Sequence, residues 1–258
     1  VKSIWLVGAS TGIGKALAIA YAKQGYRVFI SARSQEKLME LAESQQQGSG
    51  ELIPLPLDIT QQAAIAQAIS IIQGYSTGLE KVIVNAGVCE YVDDVVVDPN
   101  LFQRVMTTNV LSAIQISNYC MPLLTANSQL VFVSSSVTYQ ALPRAHAYGA
   151  SKVALRYFAE CLKMDVQHQG VDVRVVSPGF VKTPLTDKND FDMPFIIDSE
   201  EAAKRIIKGL NGKKFDIHFP KRFTLLLKLF SLFPNSLKFK MLGKLTRQQN
   251  VSTVGVSR

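Results

Sequence analysis

Acidic residues are missing from the end of this chain. Between Ile217 and Arg258 there are eight Lys/Arg and no Asp or Glu, while the first 216 residues hold 20 charges of each sign. The net charge of +8 therefore belongs to the C-terminal segment. A basic excess confined to a tail gives the body no electrostatic footprint for nucleic acid. Cysteine is scarce: Cys89, Cys120 and Cys161 are an odd, scattered set inside apolar stretches, which predicts free thiols in a reducing compartment, the cytoplasm. Their spacing fits no metal site. No apolar run reaches the roughly 20 residues that span a bilayer. The chain opens on the apolar run SIWLVGAS, without the basic start and cleavage site of a signal peptide.

What is present is a single α/β pattern. The 258 residues, 47% hydrophobic and 19% charged, suit one domain with one large core. Short apolar runs (SIWLV, YRVFIS, ELIPLPLD, LEKVIV, QLVFV, VDVRVV, KFDIHFP) alternate with segments of helical period. That alternation predicts a doubly wound parallel sheet flanked by helices. The expected helices include 34–47, begun by a Ser34 cap, a long one over 101–124, one from Tyr148 to 169, and one capped by Ser199. Residues 184–197 are expected to form a lid-like loop.

The first run ends in Gly8-Ala9-Ser10-Thr11-Gly12-Ile13-Gly14 and a helix follows. Strand, glycine turn and helix aim helix N-terminal amides at a phosphate. Gly8 and Gly12 would allow the turn and close approach of the backbone, and Gly14 the packing of helix on strand. The second run ends at Ser31-Ala32-Arg33 with no carboxylate. A guanidinium there suits the 2′-phosphate of NADP better than the bare ribose of NAD; otherwise Arg33 is a solvated helix-start residue. Asp58-Ile59-Thr60 follow the third run, where they either contact an adenine or cap the next helix. Asn85-Ala86-Gly87 are small residues that let a cofactor lie against a strand end. Asn109 lies within a helical segment, which disfavours asparagine unless its amide has a partner.

The stretch Val133–Val153 carries the chemistry. A buried run ends in Ser134-Ser135-Ser136, and Tyr148 stands four positions before Lys152, on the same face of a helix. A phenol ordinarily ionises near pH ~10. An adjacent ammonium is expected to lower that value and make Tyr148 an acid/base, with a serine hydroxyl meeting the same substrate oxygen.

Together these motifs resemble the short-chain dehydrogenase/reductase family over residues 3 to 219. The resemblance implies a Rossmann-type sheet and hydride transfer between a nicotinamide and a carbonyl or alcohol carbon. It implies Tyr148 as acid/base, Lys152 on the nicotinamide ribose, Ser135 on the substrate oxygen, and Asn109 fixing a relay water. It assigns Ser10, Thr11 and Arg33 to the 2′-phosphate and Asp58 and Ile59 to the adenine. Gly8, Gly12, Ile13, Gly14, Asn85, Ala86, Gly87, Tyr148, Lys152, Pro178, Gly179, Val181 and Thr183 line the rest of the cofactor. NADP is the implied cofactor, with NAD less favoured, and no metal. One departure is Thr138, where many members carry glycine. The family's dimers and tetramers imply a homo-oligomer through helices 101–124 and 148–169.

Beyond the domain 1–219, residues 220–258 form a basic, apolar extension. KRFTLLLKLFSLF places Lys221, Thr224, Lys228 and Ser231 on one narrow arc and Leu/Phe elsewhere. The extension is expected to pack on the body through its broad apolar face. A helix lying in a membrane interface, with contact through residues 220–247, is the other reading. The function expected is NADP-dependent reduction of a hydrophobic aldehyde or ketone, or oxidation of the corresponding alcohol. A non-catalytic nucleotide sensor and a membrane-surface protein defined by its tail are the rival classes.

Overall fold

The computed structural model describes residues 1–45, 49–92, 96–187 and 189–250, and of 244–250 only the helix. The last residues of the expected helix 34–47, Lys188, Arg258, and the side chains of Lys244 and Arg247 lie outside the described residues.

Seven parallel strands, β1 (Ser3–Val7), β2 (Arg27–Ala32), β3 (Glu51–Pro56), β4 (Lys81–Val84), β5 (Gln129–Val133), β6 (Asp172–Pro178) and β7 (Asp216–Phe219), form one sheet in the order 3-2-1-4-5-6-7. Every residue of β1, β4 and β5 is buried, as expected of strands covered on both faces. Side chains alternate between the two layers. Ile4 and Leu6 point into one core with Leu17, Leu38 and Ile206. That layer is covered by α1 (Gly12–Lys23), α2 (Gln35–Glu43) and α7 (Ser199–Leu210). Trp5 and Val7 point into the other, with Ile65, Ile116 and Leu155. Here the cover is α3 (Gln62–Tyr75), α5 (Ser112–Cys120) and α6 (His146–Val166). Trp5 is fully buried, and its indole N–H donates to Ser31 Oγ at 2.9 Å, so its one polar atom is satisfied.

The expected helices differ in detail. The segment 101–124 is not one helix: α4 (Pro99–Met106) passes through a π-helical turn, Thr107–Leu111, into α5, then a 3₁₀ turn, Met121–Leu123. The described part of 34–47 is helical only to Glu43, although Ser34 does cap it, accepting from Lys37 N. Ser199 is the first helical residue of α7 and not its cap, because its hydroxyl donates to Lys182 O. Nor does Thr60 cap α3; its hydroxyl donates to Asp58 Oδ1 at 2.8 Å.

After β7 come α8 (Lys221–Ser231) and α9 (Asn235–Asn250). The polar arc of α8 meets the body, together with Phe223 of its first turn. Thr224 is 0% exposed and its hydroxyl lies 2.7 Å from His218 Nδ1. Lys228 Nζ stands 4.3 Å from the centre of the Tyr139 ring and 3.5 Å from Asp216 Oδ2. α8 thus lies against the body as expected, but through this arc and Phe223, while Leu225, Leu226 and Leu229 of the apolar side stay exposed. Asp216, a half-buried carboxylate on β7, lies at this contact. It accepts from Tyr139 (2.6 Å), Arg156 (2.9 Å) and Ser177 (2.8 Å), and Lys228 of the polar arc reaches the same carboxylate. Burial alone would raise its pKa, but these donors hold it below the usual carboxylate range.

Glu80 is the second such carboxylate. Tyr26 (2.8 Å), Lys81 (2.7 Å) and Lys2 (2.9 Å) all reach it. Against its burial they pull its pKa down to about 2. A depressed folded-state pKa gives stability that is full above the unfolded value and lost as pH falls toward the folded one. We expect the urea midpoint to fall as pH drops from about 4.5 to about 2, with Glu80 contributing on the order of 1–2 kcal/mol after solvent screening. Glu80→Gln should be less stable at neutral pH and show a shallower acid decline; parallel profiles would remove Glu80 from the account.

Candidate active site

The strand order reverses between β1 and β4, and there the carboxyl ends of neighbouring strands cannot be crossed by one connection. Register sets these ends in a row, Val7 beside Val84, Val84 beside Phe132, and Val133 beside Val176. The loops that follow surround a cleft of about 830 Å³. It is lined by Gly8, Ser10, Thr11, Gly12, Ile13, Arg33, Asp58, Ile59, Asn85, Ala86, Gly87, Ser135, Tyr148, Lys152, Pro178, Gly179, Val181 and Thr183. Of the residues singled out in the sequence, Gly14 and Asn109 lie behind this wall.

The wall is a cradle only because side chains are missing from it. Gly8 has φ +87°, and a Cβ there would fall 2.5 Å from Ala86 N. At Gly12, with φ +54°, it would fall 2.8 Å from Thr183 Cγ2. At Gly87 it would come within 3.1 Å of Asn109 Oδ1 and 3.2 Å of Lys152 Nζ. Asn85 Nδ2 donates to Gly8 O at 2.7 Å, tying the β4 end to the glycine turn. The first turn of α1 has neither an acidic residue nor a side-chain cap, so its amides remain a source of positive potential beside Ser10 and Thr11. This arrangement fits a dinucleotide: bare backbone for close approach, amides for a phosphate, and the volume of a cofactor pocket.

One end of the cleft is built from Ser10, Arg33, Ser34 and Lys37. Lys37 was not singled out in the sequence; an exposed lysine in a first helical turn looks like any other. Asp58 accepts from the Thr60 amide (2.9 Å) and hydroxyl, which hold its carboxyl below the usual range, with Arg33 adding to the effect.

At the other end stand Ser135, Tyr148 and Lys152. Lys152 is buried, with Nζ donating to Val133 O at 2.9 Å and lying 5.8 Å from the centre of the Tyr148 ring. Burial lowers its pKa to about 8, opposed by the charge of Cys89. The expected lowering of the Tyr148 pKa does not occur in this state. Burial pushes the phenol well above its ordinary range, Cys89 adds to the rise, and the hydrogen bond from Ser135 opposes it. The helix does set the ammonium on the same face as the phenol, but a buried ring loses more to desolvation than it gains there. Ser134 and Ser136 are buried, and the Ser134 hydroxyl is engaged by Lys152 O at 3.1 Å, leaving Ser135 as the serine facing the tyrosine.

Asn109 sits in the π-helical turn and is buried. Its Oδ1 accepts from Val88 N (2.8 Å), while Nδ2 donates to Val88 O (2.9 Å) and Ser151 Oγ (2.9 Å). Ser151 in turn donates to Tyr148 O at 2.7 Å. One amide thus joins the loop after Gly87 to the turn of α6 that bears Tyr148. The extra residue of the π turn aims it there.

The loop expected over 184–197 is closed by a bridge between Val181 and Ile197 and contributes Pro184, Leu185 and Thr186 to the cleft. Its rings cluster: Phe191 packs on Tyr91 (5.7 Å) and Phe180 (6.0 Å), and Phe223 of α8 on Phe180 (5.4 Å). Among the described residues no group of His, Cys, Asp and Glu could hold a metal ion, and no helix is long and apolar enough to cross a membrane.

Comparison with known proteins agrees with this geometry. The family model for short chain dehydrogenases matches residues 2–193. An uncharacterized oxidoreductase of Myxococcus xanthus is 31% identical over 92% of this chain and 94% of its own. The 11-beta-hydroxysteroid dehydrogenase-like 2 of Arabidopsis thaliana is 30% identical over 81% and 70%. Among solved structures, a short-chain dehydrogenase from Sphingobium yanoikuyae in complex with NADPH superposes with a TM-score of 0.77. It is 20% identical and covers 100% of this chain and 98% of its own. The chain belongs to the short-chain dehydrogenase family of oxidoreductases.

Proposed function

We propose that this protein is an NADP-dependent oxidoreductase that interconverts a lipophilic aldehyde or ketone and its alcohol. One observation carries the reading: Ser135, Tyr148 and Lys152 meet at one end of a glycine-walled cleft whose other end presents Arg33 and Lys37. When bound, the nicotinamide supplies or takes the hydride. The chain's own residues handle the oxygen. A phenol held protonated by burial is a proton donor at neutral pH, and Tyr148 delivers its proton to the substrate oxygen as a carbonyl is reduced. Ser135 fixes that oxygen by a hydrogen bond. Lys152, anchored on Val133 O, holds positive charge next to the reacting groups and the cofactor ribose. Asn109 keeps α6 and the loop after Gly87 in one register.

Arg33, with Ser10, Thr11 and Lys37, binds the 2′-phosphate; Asp58 and Ile59 receive the adenine, and Asn85 to Gly87, Pro178, Gly179, Val181 and Thr183 receive the remainder. NADP is favoured because the β2 end offers cations and hydroxyls in place of a carboxylate. The Sphingobium structure and one from Burkholderia cenocepacia, described with NADP, support that choice. The aromatic cluster around Phe180 supports a lipophilic substrate, and so do relatives named for hydroxysteroids and, in Homo sapiens, for retinol. Exposed Leu111, Val153, Tyr157 and Met164 on the π turn and α6 support a homo-oligomer through this side of the molecule.

The test is NADPH oxidation with aldehydes and ketones of rising chain length, with fluorescence titration of NADPH and NADH. Turnover is expected to improve with apolar length. Arg33→Ala should weaken NADPH on the order of 10–100-fold and NADH by no more than about threefold, as fits loss of a charge-assisted bidentate contact. Equal losses for both cofactors would take Arg33 out of the phosphate site, and NADPH binding without turnover on any carbonyl would count against the enzyme.

A further inference from the structure

The inward turn of the polar arc leaves an unusual surface. An amphipathic helix on a globular protein ordinarily buries its apolar face. In α8 much of that face is left out: Leu225, Leu226 and Leu229 are more than half exposed, and so is Leu232 just after the helix, at 80%. The surface does not end with the helix. Phe223, in its first turn, lies 6.4 Å ring to ring from Phe195, and Phe195 and Ile196 of the cleft loop are exposed as well. Across the Pro234 break, Phe239 of α9 is 67% exposed. Exposed apolar side chains thus follow the chain from the cleft loop through α8 into α9, and Lys238 of α9 ties the two helices by donating to Ser231 O at 3.1 Å.

Charge identifies what covers it. Among the described residues no acidic side chain follows Asp216, and that one is turned inward. Arg222 and Lys240 are exposed at the margins of the leucines and form no ion pair among the described residues. A second copy of the chain would bring two such basic margins together and pay their repulsion. A layer of anionic headgroups over acyl chains matches both features at once, leucine and phenylalanine inside and Lys/Arg at headgroup level. We propose that α8, α9 and the cleft loop form an interfacial docking surface for an anionic lipid bilayer, lying in the membrane plane without crossing it. The first turn of α8 touches the cleft wall, since a Cβ on Gly179 would lie 2.9 Å from Phe223 Cδ1. The docked face thus brings the substrate end of the cleft to the bilayer. Resting on the oxidoreductase reading, the corollary is that lipophilic substrate enters from the lipid phase.

The experiment is co-sedimentation of the full chain with vesicles of phosphatidylcholine plus phosphatidylserine, and with phosphatidylcholine alone. Wild type should partition onto the mixed vesicles and several-fold less onto the neutral ones. Leu226→Asp with Leu229→Asp should lower partitioning on the order of a hundredfold, and Arg222→Glu with Lys240→Glu on the order of tenfold or more. These side chains lie outside the cleft, so NADPH fluorescence binding should be unchanged and reports that each variant is folded. Absence of wild-type sedimentation would overturn the proposal, and so would equal sedimentation of the leucine variant. A wild-type dimer that the leucine variant converts to monomer, without vesicle binding, would reassign the patch to contact between copies. None of these readouts uses turnover, so failure here is separable from failure of the proposed activity.

Discussion

Tyr148→Phe should abolish carbonyl reduction while leaving NADPH bound. The substitution removes one oxygen from a buried ring and changes nothing of the glycine wall, Arg33 or Lys152. Loss of a positioned general acid costs typically 10²–10⁴-fold. We expect kcat to fall by at least about that range, and the NADPH dissociation constant to move by less than about threefold. The expectation rests on the placement of Tyr148 with Ser135 and Lys152 at one end of the cleft. Single-turnover kinetics with the best aldehyde, paired with fluorescence titration, makes the measurement. Reduction retained within tenfold would mean that the proton comes from another group.

Gly14→Ala should be severely damaging, because its Cβ would meet the tightest clash among the described glycines. A Cβ at Gly14 would fall 1.9 Å from Gly8 O, a backbone atom that already accepts from Asn85 Nδ2. No rotamer relieves such an overlap. Either α1 moves off β1, opening the layer that holds Leu17 and Ala18, or the glycine turn deforms and loses its tie to β4. We expect a loss of about 3–5 kcal/mol, or no soluble protein, as for severe overpacking. The control lies within the same chain. Gly74, in α3, would meet nothing within 4 Å, so Gly74→Ala should be neutral or stabilise by about 0.4–1 kcal/mol. Urea midpoints of the two variants should move in opposite directions. Comparable shifts would show that the α1–β1 approach is not the constraint.

The parts of the molecule legible in the sequence are those fixed by local period. β1, β4 and β5 are continuous apolar runs because helices cover both their faces, and Tyr148 and Lys152 share a face because α6 is regular. What escaped depends on partners distant in the chain. Lys37 belongs to the cleft only because β2 ends beside it. The π turn at Asn109 follows from the need to reach Val88 and Ser151, which no helical period announces. The period of α8 was readable, arc and all, but that its polar arc would turn inward toward Asp216 and Tyr139, with most leucines left outside, depends on partners the period does not show. Tyr148 was expected to lose its proton more easily from its neighbour's charge; the depth of its burial, which sequence does not show, wins instead.

The carboxylate of Asp216 has one further consequence, in the order in which the chain is made. Tyr139 follows Ser135 by one turn, and Arg156 lies two turns beyond Tyr148; both donate to this single residue on the last strand. Synthesis runs from the N-terminus, so a nascent chain contains its serine, tyrosine and lysine well before it contains the anchor that ties their supports together. Before β7 docks, the serine segment and α6 are already joined through Lys152, whose Nζ donates to Val133 O and whose carbonyl accepts from Ser134, and the shared acceptor Asp216 is not yet in place. The last strand thus adds a late brace, through Tyr139 and Arg156, to reacting groups already held by nearer segments.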